Sequence, residues 1–582
     1  MVDNRGRFRV IIPAAILQIR LCQAESGHPN LRDGFFYFRD RKGKEDMLVK
    51  ISILGAYGLG LFLIGWWTRS HWRSDPVSYF LDNRGLGSLA FLCTMAATNF
   101  SAFTVFGVSG AGYRDGYAFY PIMGFGTGFM AITFWLIGRR VRELGRETGA
   151  LTPPGLVRDL YHSPFLSFIF GLVCLVFTVP YLAMQPLAAG YALKGLLGLD
   201  QAWGVGLVTL VICIYTFQGG MKSVAWTDVF QGFIMLLVLA LALVVAADQA
   251  GGLGSAGQRL LEKHPELFSR PGAQGVLTPQ VWFSWMFLWF FCDPMFPQLF
   301  QRFLAARDNT AIRRGMLFYP AVCSIVFLLP VTIGVLGRLS HPGLTGREAD
   351  SILPLLAAGL DSPVLGALVI TCGLAALMST MDSQLLTCSS IFSQDILPLI
   401  RRRPAAGAWP GRIFVLALSL AGCLMALRPP ETMLVMAGQA FSGLAVLFPT
   451  VLFGLYSGWR SRTAAVVSIL AGETALVLSF FGWLPTAGFL SAVPIVVVAF
   501  GVYLLAAGIE RLRKGQGLSW PKAFLASPYT WAFAAVLVLA QDWWRWGRRP
   551  DLFWGWPAWV FYFLLLSAVQ TWLMARWSRA RV

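Results

Sequence analysis

Charge is scarce in this sequence: Asp, Glu, Lys and Arg make up 13% of 582 residues, where a soluble domain carries about 25%. Histidine is scarcer still. The five present, His28, His71, His162, His264 and His341, all fall outside the apolar runs, which argues against a haem or zinc centre built from imidazoles inside a helical bundle. A membrane-embedded metalloenzyme is therefore disfavoured, and no enzyme activity is expected. Of nine cysteines, eight lie in apolar runs and Cys22 has no loop partner, so the set reads as small core residues and not as a disulfide framework. No signal peptide is evident either: the run Val10 to Ile19 is not followed by a small-residue cleavage site.

Apolar residues are abundant, at 56%, and they form long runs spread along the whole chain. A hydrocarbon layer of ~30 Å needs about 20 residues of helix to cross it. About fifteen runs approach that length, the first near 49–67 and the last near 552–575. Runs this continuous are helices, since barrel strands alternate. The expected class is an all-α polytopic membrane protein with about 13–15 transmembrane helices. The net charge of +18 is dispersed between spans, so no nucleic-acid partner is implied. With the start of the first span placed outside, the inner loops hold 26 Lys and Arg against 11 in the outer loops, which is the bias that orients an inner-membrane protein.

Two runs have polar centres. Residues 87–113 contain Thr98, Asn99 and Ser101 at mid-depth, and residues 279–303 contain Asp293, Pro294 and Pro297. Proline removes a backbone donor, and polar groups at that depth need partners. Each run opens a set of five, 87–247 and 279–455, which is the pattern of two inverted repeats whose broken first helices face each other. Around them the chain divides into an N-terminal extension (1–46), a first peripheral helix with its inside loop (47–86), an outside loop (248–278), further peripheral helices (456–510) and a C-terminal two-helix extension (511–582). Residues 1–46 carry nine Lys and Arg on the side the other loops mark as outside. They are expected to be non-native or disordered, with translation starting at Met47.

Three stretches give a resemblance: Tyr79-Phe80-Leu81-Asp82-Asn83-Arg84-Gly85 leading to Ala96-Ala97-Thr98-Asn99-Phe100-Ser101, then Gln218-Gly219-Gly220-Met221-Lys222-Ser223 before Trp226-Thr227-Asp228, then Ala375-Ala376-Leu377-Met378-Ser379-Thr380-Met381-Asp382-Ser383. With Gln301-Arg302-Phe303-Leu304-Ala305-Ala306 and Ala440-Phe441-Ser442-Gly443, the chain resembles the sodium:solute symporter family from about residue 50 to 510. The resemblance implies a LeuT-type core of two inverted five-helix repeats plus peripheral helices, and symport of a small organic solute with Na+ across the inner membrane. It implies a sodium site formed by the carbonyls of Ala97, Phe100 and Ala376 and the hydroxyls of Ser379 and Thr380. A hard cation takes several oxygens, and an interrupted helix frees carbonyls to supply them. Ser383, one turn nearer the inside, is expected to matter less.

Asp228 and Asp382 are the coupling candidates, because carboxylates at such depth usually face a cavity. An aspartate near a helix start also favours the positive dipole end, the plainer reading of Asp228. For the solute the resemblance points to Thr98, Asn99, Ser101, Gln185, Asp293 and Gln439. Many family members have an acidic residue in place of Asn99 and a glycine in place of Ala102. The last two spans are weakly similar to small two-helix membrane proteins, so a small membrane partner is implied beside lipid and solute. Alternatives are a proton-coupled carrier of the same fold, relying on Asp228 or Asp382, and a solute-sensing receptor, which would be expected to carry a signalling domain.

Overall fold

The computed structural model describes residues 41–69, 75–218, 220–401, 409–516 and 527–580. The chain divides into two compact units, Met1–Val49 and Lys50–Val582. Of the first, only the opening of α1 (Arg41–Arg69) is described. That helix begins ahead of Met47, and the remainder of the basic extension lies outside the described residues.

Helix dominates. Among the described residues the only strands are the short pair Leu552–Phe553 and Trp556–Pro557. Eleven helices among the described residues are long and apolar enough to cross a membrane, with two shorter apolar helices at Ser88–Asn99 and Gln201–Ile214. The first set of five crossings comprises α2 (Ser88–Asn99) and α3 (Val108–Asp115), α4 (Tyr120–Phe129) running on into α5 (Arg139–Thr148), α6 (Pro164–Leu197), α7 (Gln201–Gln218) and α8 (Met221–Gln249). The second comprises α9 (Pro279–Cys292) and α10 (Pro297–Ala305), α11 (Asn309–Ser340), α12 (Pro363–Ile391), α13 (Trp409–Leu427), and α14 (Met433–Ala445) with α15 (Phe448–Leu455). An odd number of crossings separates the two openings, so the second set enters from the opposite face and the repeats are inverted. Helices α16 (Arg462–Phe480), α17 (Ala492–Arg513), α18 (Pro528–Leu539) and α19 (Ala558–Arg579) follow.

Helix starts are written locally. Ser163, Thr278 and Ser362 each accept from the backbone N–H three residues on and are each followed by proline. This combination satisfies or removes the orphan donors of a first turn, which hydrocarbon would penalise by several kcal/mol. Helices α3 and α11 cross closely: a Cβ at Gly334 would overlap the Ser109 carbonyl, and one at Gly112 would lie 2.5 Å from the Val331 oxygen. Small residues at such a crossing let backbones approach without a hydrophobic drive between helices. The result places α2 against α8, α11 and α12, so the first break is enclosed by both repeats.

The C-terminal extension differs from the expected pair of full spans. The run 526–541 yields α18, twelve residues long, or about 18 Å of helix, too short for a crossing by itself. Residues beyond it pack against the 248–278 segment. Arg270 and Asp542 form an ion pair at 2.8 Å with both side chains buried, and the guanidinium lies 4.6–5.9 Å from the ring centres of Trp282, Trp546 and Trp559. Removing one partner of a buried pair strands the other charge at a cost of about 3–5 kcal/mol. Asp542→Ala is therefore expected to lower the thermal unfolding midpoint clearly. Arg545→Ala, whose more exposed side chain is 3.9 Å from Asp542, is expected to leave it nearly unchanged.

Candidate sodium and solute site

The first broken helix stops at Asn99. Phe100 leaves helical geometry (φ −84°, ψ 86°), and two side chains satisfy the amides freed beyond it. Gln185 Oε1 accepts from the Ala102 N–H at 3.0 Å, and Ser101 Oγ accepts from the Phe103 N–H at 3.2 Å. Helix α12 runs past this break. The Ser379 hydroxyl donates to the Ala97 carbonyl at 2.9 Å and the Thr380 hydroxyl to the Thr98 carbonyl at 3.0 Å. Both hydroxyls also lie within 3.0–3.3 Å of the Ala376 carbonyl. Oxygens from Ala97, Thr98, Ala376, Ser379 and Thr380 thus converge, all from buried residues. The Thr98 carbonyl is an addition to the expected set, while the Phe100 carbonyl has no recorded contact with the hydroxyl pair. Several neutral oxygens with rotatable hydroxyls are what a desolvated sodium ion requires.

One turn further along α12, at Ser383, lies a buried ionic network. Asp228 sits two turns into α8 and is fully buried, which does not fit the plainer reading of a cap at a helix start. Its Oδ2 accepts from Thr94, from Thr98 at 3.0 Å, and from Arg302 Nη2 at 2.9 Å. Arg302 also donates to Thr94 Oγ1 at 2.8 Å, the Gln298 carbonyl at 2.8 Å and Ser383 Oγ at 2.6 Å. By position along the chain Arg302 belongs with the basic residues that end a span, yet its side chain is wholly inaccessible. Ser383 bridges: its hydroxyl is 3.0 Å from Thr98 Oγ1 and 3.3 Å from Asp382 Oδ1. Ser383 therefore links Thr98, at the first break, to the Asp228–Arg302 ion pair. Asp228 Oδ1 is buried with no hydrogen-bond partner among the described residues.

The expected solute residues separate into groups. Asn99 reaches the second break, where its Nδ2 donates to Asp293 Oδ2 at 3.2 Å and to the Tyr319 hydroxyl at 2.6 Å. Thr98 faces Asp228 instead, and Gln185 and Ser101 brace the first break. Both polar atoms of the Gln185 side-chain amide are engaged, its Nε2 donating to the Tyr181 carbonyl at 3.0 Å. Gln439 does not join them: it is exposed and lines a peripheral cavity of about 400 Å³ with Trp285, Ser442, Ser479 and Ser491, because the rotation of α14 turns that residue away from the breaks. Around the second break Trp289, Phe441, Phe296 and Tyr181 pack with centroids 4.8–5.4 Å apart.

Comparison with known proteins identifies the family and the fold. The family model described as "Sodium:solute symporter family" matches residues 79–472. A sodium/pantothenate symporter of Haemophilus influenzae is 28% identical over 445 residues, 75% of this chain and 92% of that protein. The high-affinity proline transporter PutP of Bacillus subtilis is 27% identical over 433 residues, covering 72% and 89%. Among solved structures, a Na+-coupled sialic acid symporter in a substrate-bound outward-open state superposes with a TM-score of 0.65 at 18% identity, over 79% of this chain and 98% of that one. The nucleobase-cation-symport-1 transporter Mhp1, closed on bromovinylhydantoin, gives 0.54 at 12% identity, over 77% and 97%. At such identities the structural likeness speaks for the fold alone, and the family match speaks for the rest: this chain belongs to the sodium:solute symporter family, as a multi-pass inner-membrane transporter that couples a small organic solute to sodium.

Proposed function

We propose that sodium binds among the Ala97, Thr98 and Ala376 carbonyls and the Ser379 and Thr380 hydroxyls, and that the solute binds between the two helix breaks, outward of the ion. The observation that carries this reading is the reach of both α12 hydroxyls to carbonyls on the last turn of α2. Repeats 87–247 and 279–455 rock against each other about this point. A sodium ion leaving inward next meets Ser383, Thr98 and Asp228. The unpartnered Asp228 Oδ1 offers it a charged oxygen, and Arg302 takes the carboxylate back once the ion has gone. The Asp228–Arg302 pair is thus the inner barrier of the ion path, with Asp382 joined to it through Ser383.

Helices α18 and α19 act in cis as a small membrane subunit would. Support comes from polar contacts of α19 with both repeats: Gln570 Nε2 donates to the Gly128 carbonyl at 2.8 Å, and Ser567 meets Ser324 at 3.1 Å. A chain ending at Gln516 is expected to give less folded protein, with the sodium dependence of whatever remains unaltered, as uptake titrations at matched protein amounts would read.

The solute screen that tests the function uses proteoliposomes under an inward sodium gradient or an equal potassium gradient. Sodium-specific accumulation against the solute's own gradient is the expected result. Equal accumulation in both would remove sodium from the mechanism.

A further inference from the structure

Three buried carboxylates in this protein face arginines: Asp228 faces Arg302, Asp350 faces Arg114 and Asp542 faces Arg270, all within 2.8–2.9 Å. Asp293 does not; Asp395, which accepts from Thr152, shares that lack, but Asp293 alone of the two stands at a helix break. It is fully inaccessible, at the end of α9, and its oxygens accept from Asn99 Nδ2 at 3.2 Å and Cys292 Sγ at 3.4 Å, with no Lys, Arg or His paired to it among the described residues. An amide and a thiol are weak compensation for a carboxylate out of water.

The surroundings decide which cation it suits. A metal ion asks for five or six oxygens, and here aromatic rings crowd the carboxylate instead. Trp289, four residues before Asp293, lies on its side of α9, Tyr181 lies beside the carboxylate, and Phe296 packs on Tyr181 with ring centres 5.4 Å apart. Ring faces attract organic cations. Trp289 Nε1 is, in addition, a buried donor with no partner among the described residues. It sits one helical turn from Asp293, about 5 Å along the axis.

We propose that Asp293 receives a positively charged nitrogen on the solute, and that Trp289 Nε1 receives a hydrogen-bond acceptor about one helical turn away. The transported class is then small organic molecules with an ammonium or quaternary nitrogen. This rests on the reading that the solute lies between the helix breaks. It separates this chain from a carrier whose solute has no cationic nitrogen.

The test is uptake of five radiolabelled probes into proteoliposomes under sodium or potassium gradients: proline, glycine betaine and choline, which carry cationic nitrogen, and pantothenate and glucose, which do not. At least one of the first three is expected to accumulate with sodium, and neither of the others. Asp293→Asn is expected to raise the concentration for half-maximal uptake about 10-fold or more, with Asp293→Glu nearer to wild type. Sodium binding by each purified variant, measured without solute, confirms that it is folded. Accumulation confined to pantothenate or glucose, accumulation of no cationic probe, or an unchanged half-maximal concentration in Asp293→Asn would overturn the proposal. So would a change in charges moved per solute, since Asp293 would then hold a second coupling ion. Failure of the sodium-symport reading itself looks different: solute would accumulate equally under potassium.

Discussion

Replacing Thr380 or Ser379 by alanine is expected to raise the sodium concentration for half-maximal uptake by about 10- to 150-fold. A hydrogen-bond-scale contact to a charged group is worth about 1.5–3 kcal/mol, and ~1.4 kcal/mol corresponds to a decade in affinity. The loss is expected to be large because both residues are buried away from bulk water. Linkage adds a second expectation. If sodium and solute bind cooperatively, either variant lowers apparent solute affinity at subsaturating sodium, and excess sodium largely restores it. A hydroxyl that only packed helices would make neither demand, because a destabilised bundle loses folded protein at every sodium concentration. Titrations at matched expression separate the cases. Unchanged sodium dependence in both variants would remove the pair from the site.

The second large effect lies at the inner network. Arg302→Gln leaves Asp228 buried with hydroxyl partners alone, and breaking a buried pair in this way costs about 3–5 kcal/mol. Poor expression or a strongly lowered unfolding midpoint is expected. Asp228→Asn keeps the shape of the side chain but removes the charge that we propose guides the ion, so solute accumulation is expected to fall further than equilibrium solute binding does. The double variant Asp228→Asn with Arg302→Gln removes both charges. Stability is expected to recover beyond the sum of the single effects, since the two residues touch at 2.9 Å. Accumulation is not expected to recover. Additive stabilities would show that the pair does not act as a unit, and normal accumulation in Asp228→Asn would exclude it from the ion path.

Much of this arrangement is legible in the sequence. Proline at 294 and 297, and polar residues at 98, 99 and 101, mark both breaks because hydrocarbon tolerates them only where backbone faces protein. The Ser379–Thr380 pair reads as a cation shell only through the resemblance; adjacent hydroxyls alone also suit close helix packing. What is not legible is helix rotation. Gln185 and Gln439 are alike as mid-span amides, yet one clamps the Ala102 amide and the other faces a peripheral cavity. Arg302 was hidden by its place near a span end, where snorkelling is usual. Its signal was available in Asp228, since an intramembrane carboxylate needs a cation somewhere in the bundle. The short α18 is hidden for another reason: hydropathy counts apolar residues but not the contacts beyond Leu539, such as Asp542 with Arg270, where the helix ends.

Sodium binding itself gives the most direct test of the account, because it needs neither a known solute nor transport. Purified protein without solute is titrated with radiolabelled sodium, as wild type, as Ser379→Ala with Thr380→Ala, and as Asp293→Asn. Saturable binding is expected in wild type and in Asp293→Asn, with affinity at least about 10-fold weaker in the double alanine variant. Wild-type affinity in the double alanine variant would contradict the assignment of the ion to the first break and α12.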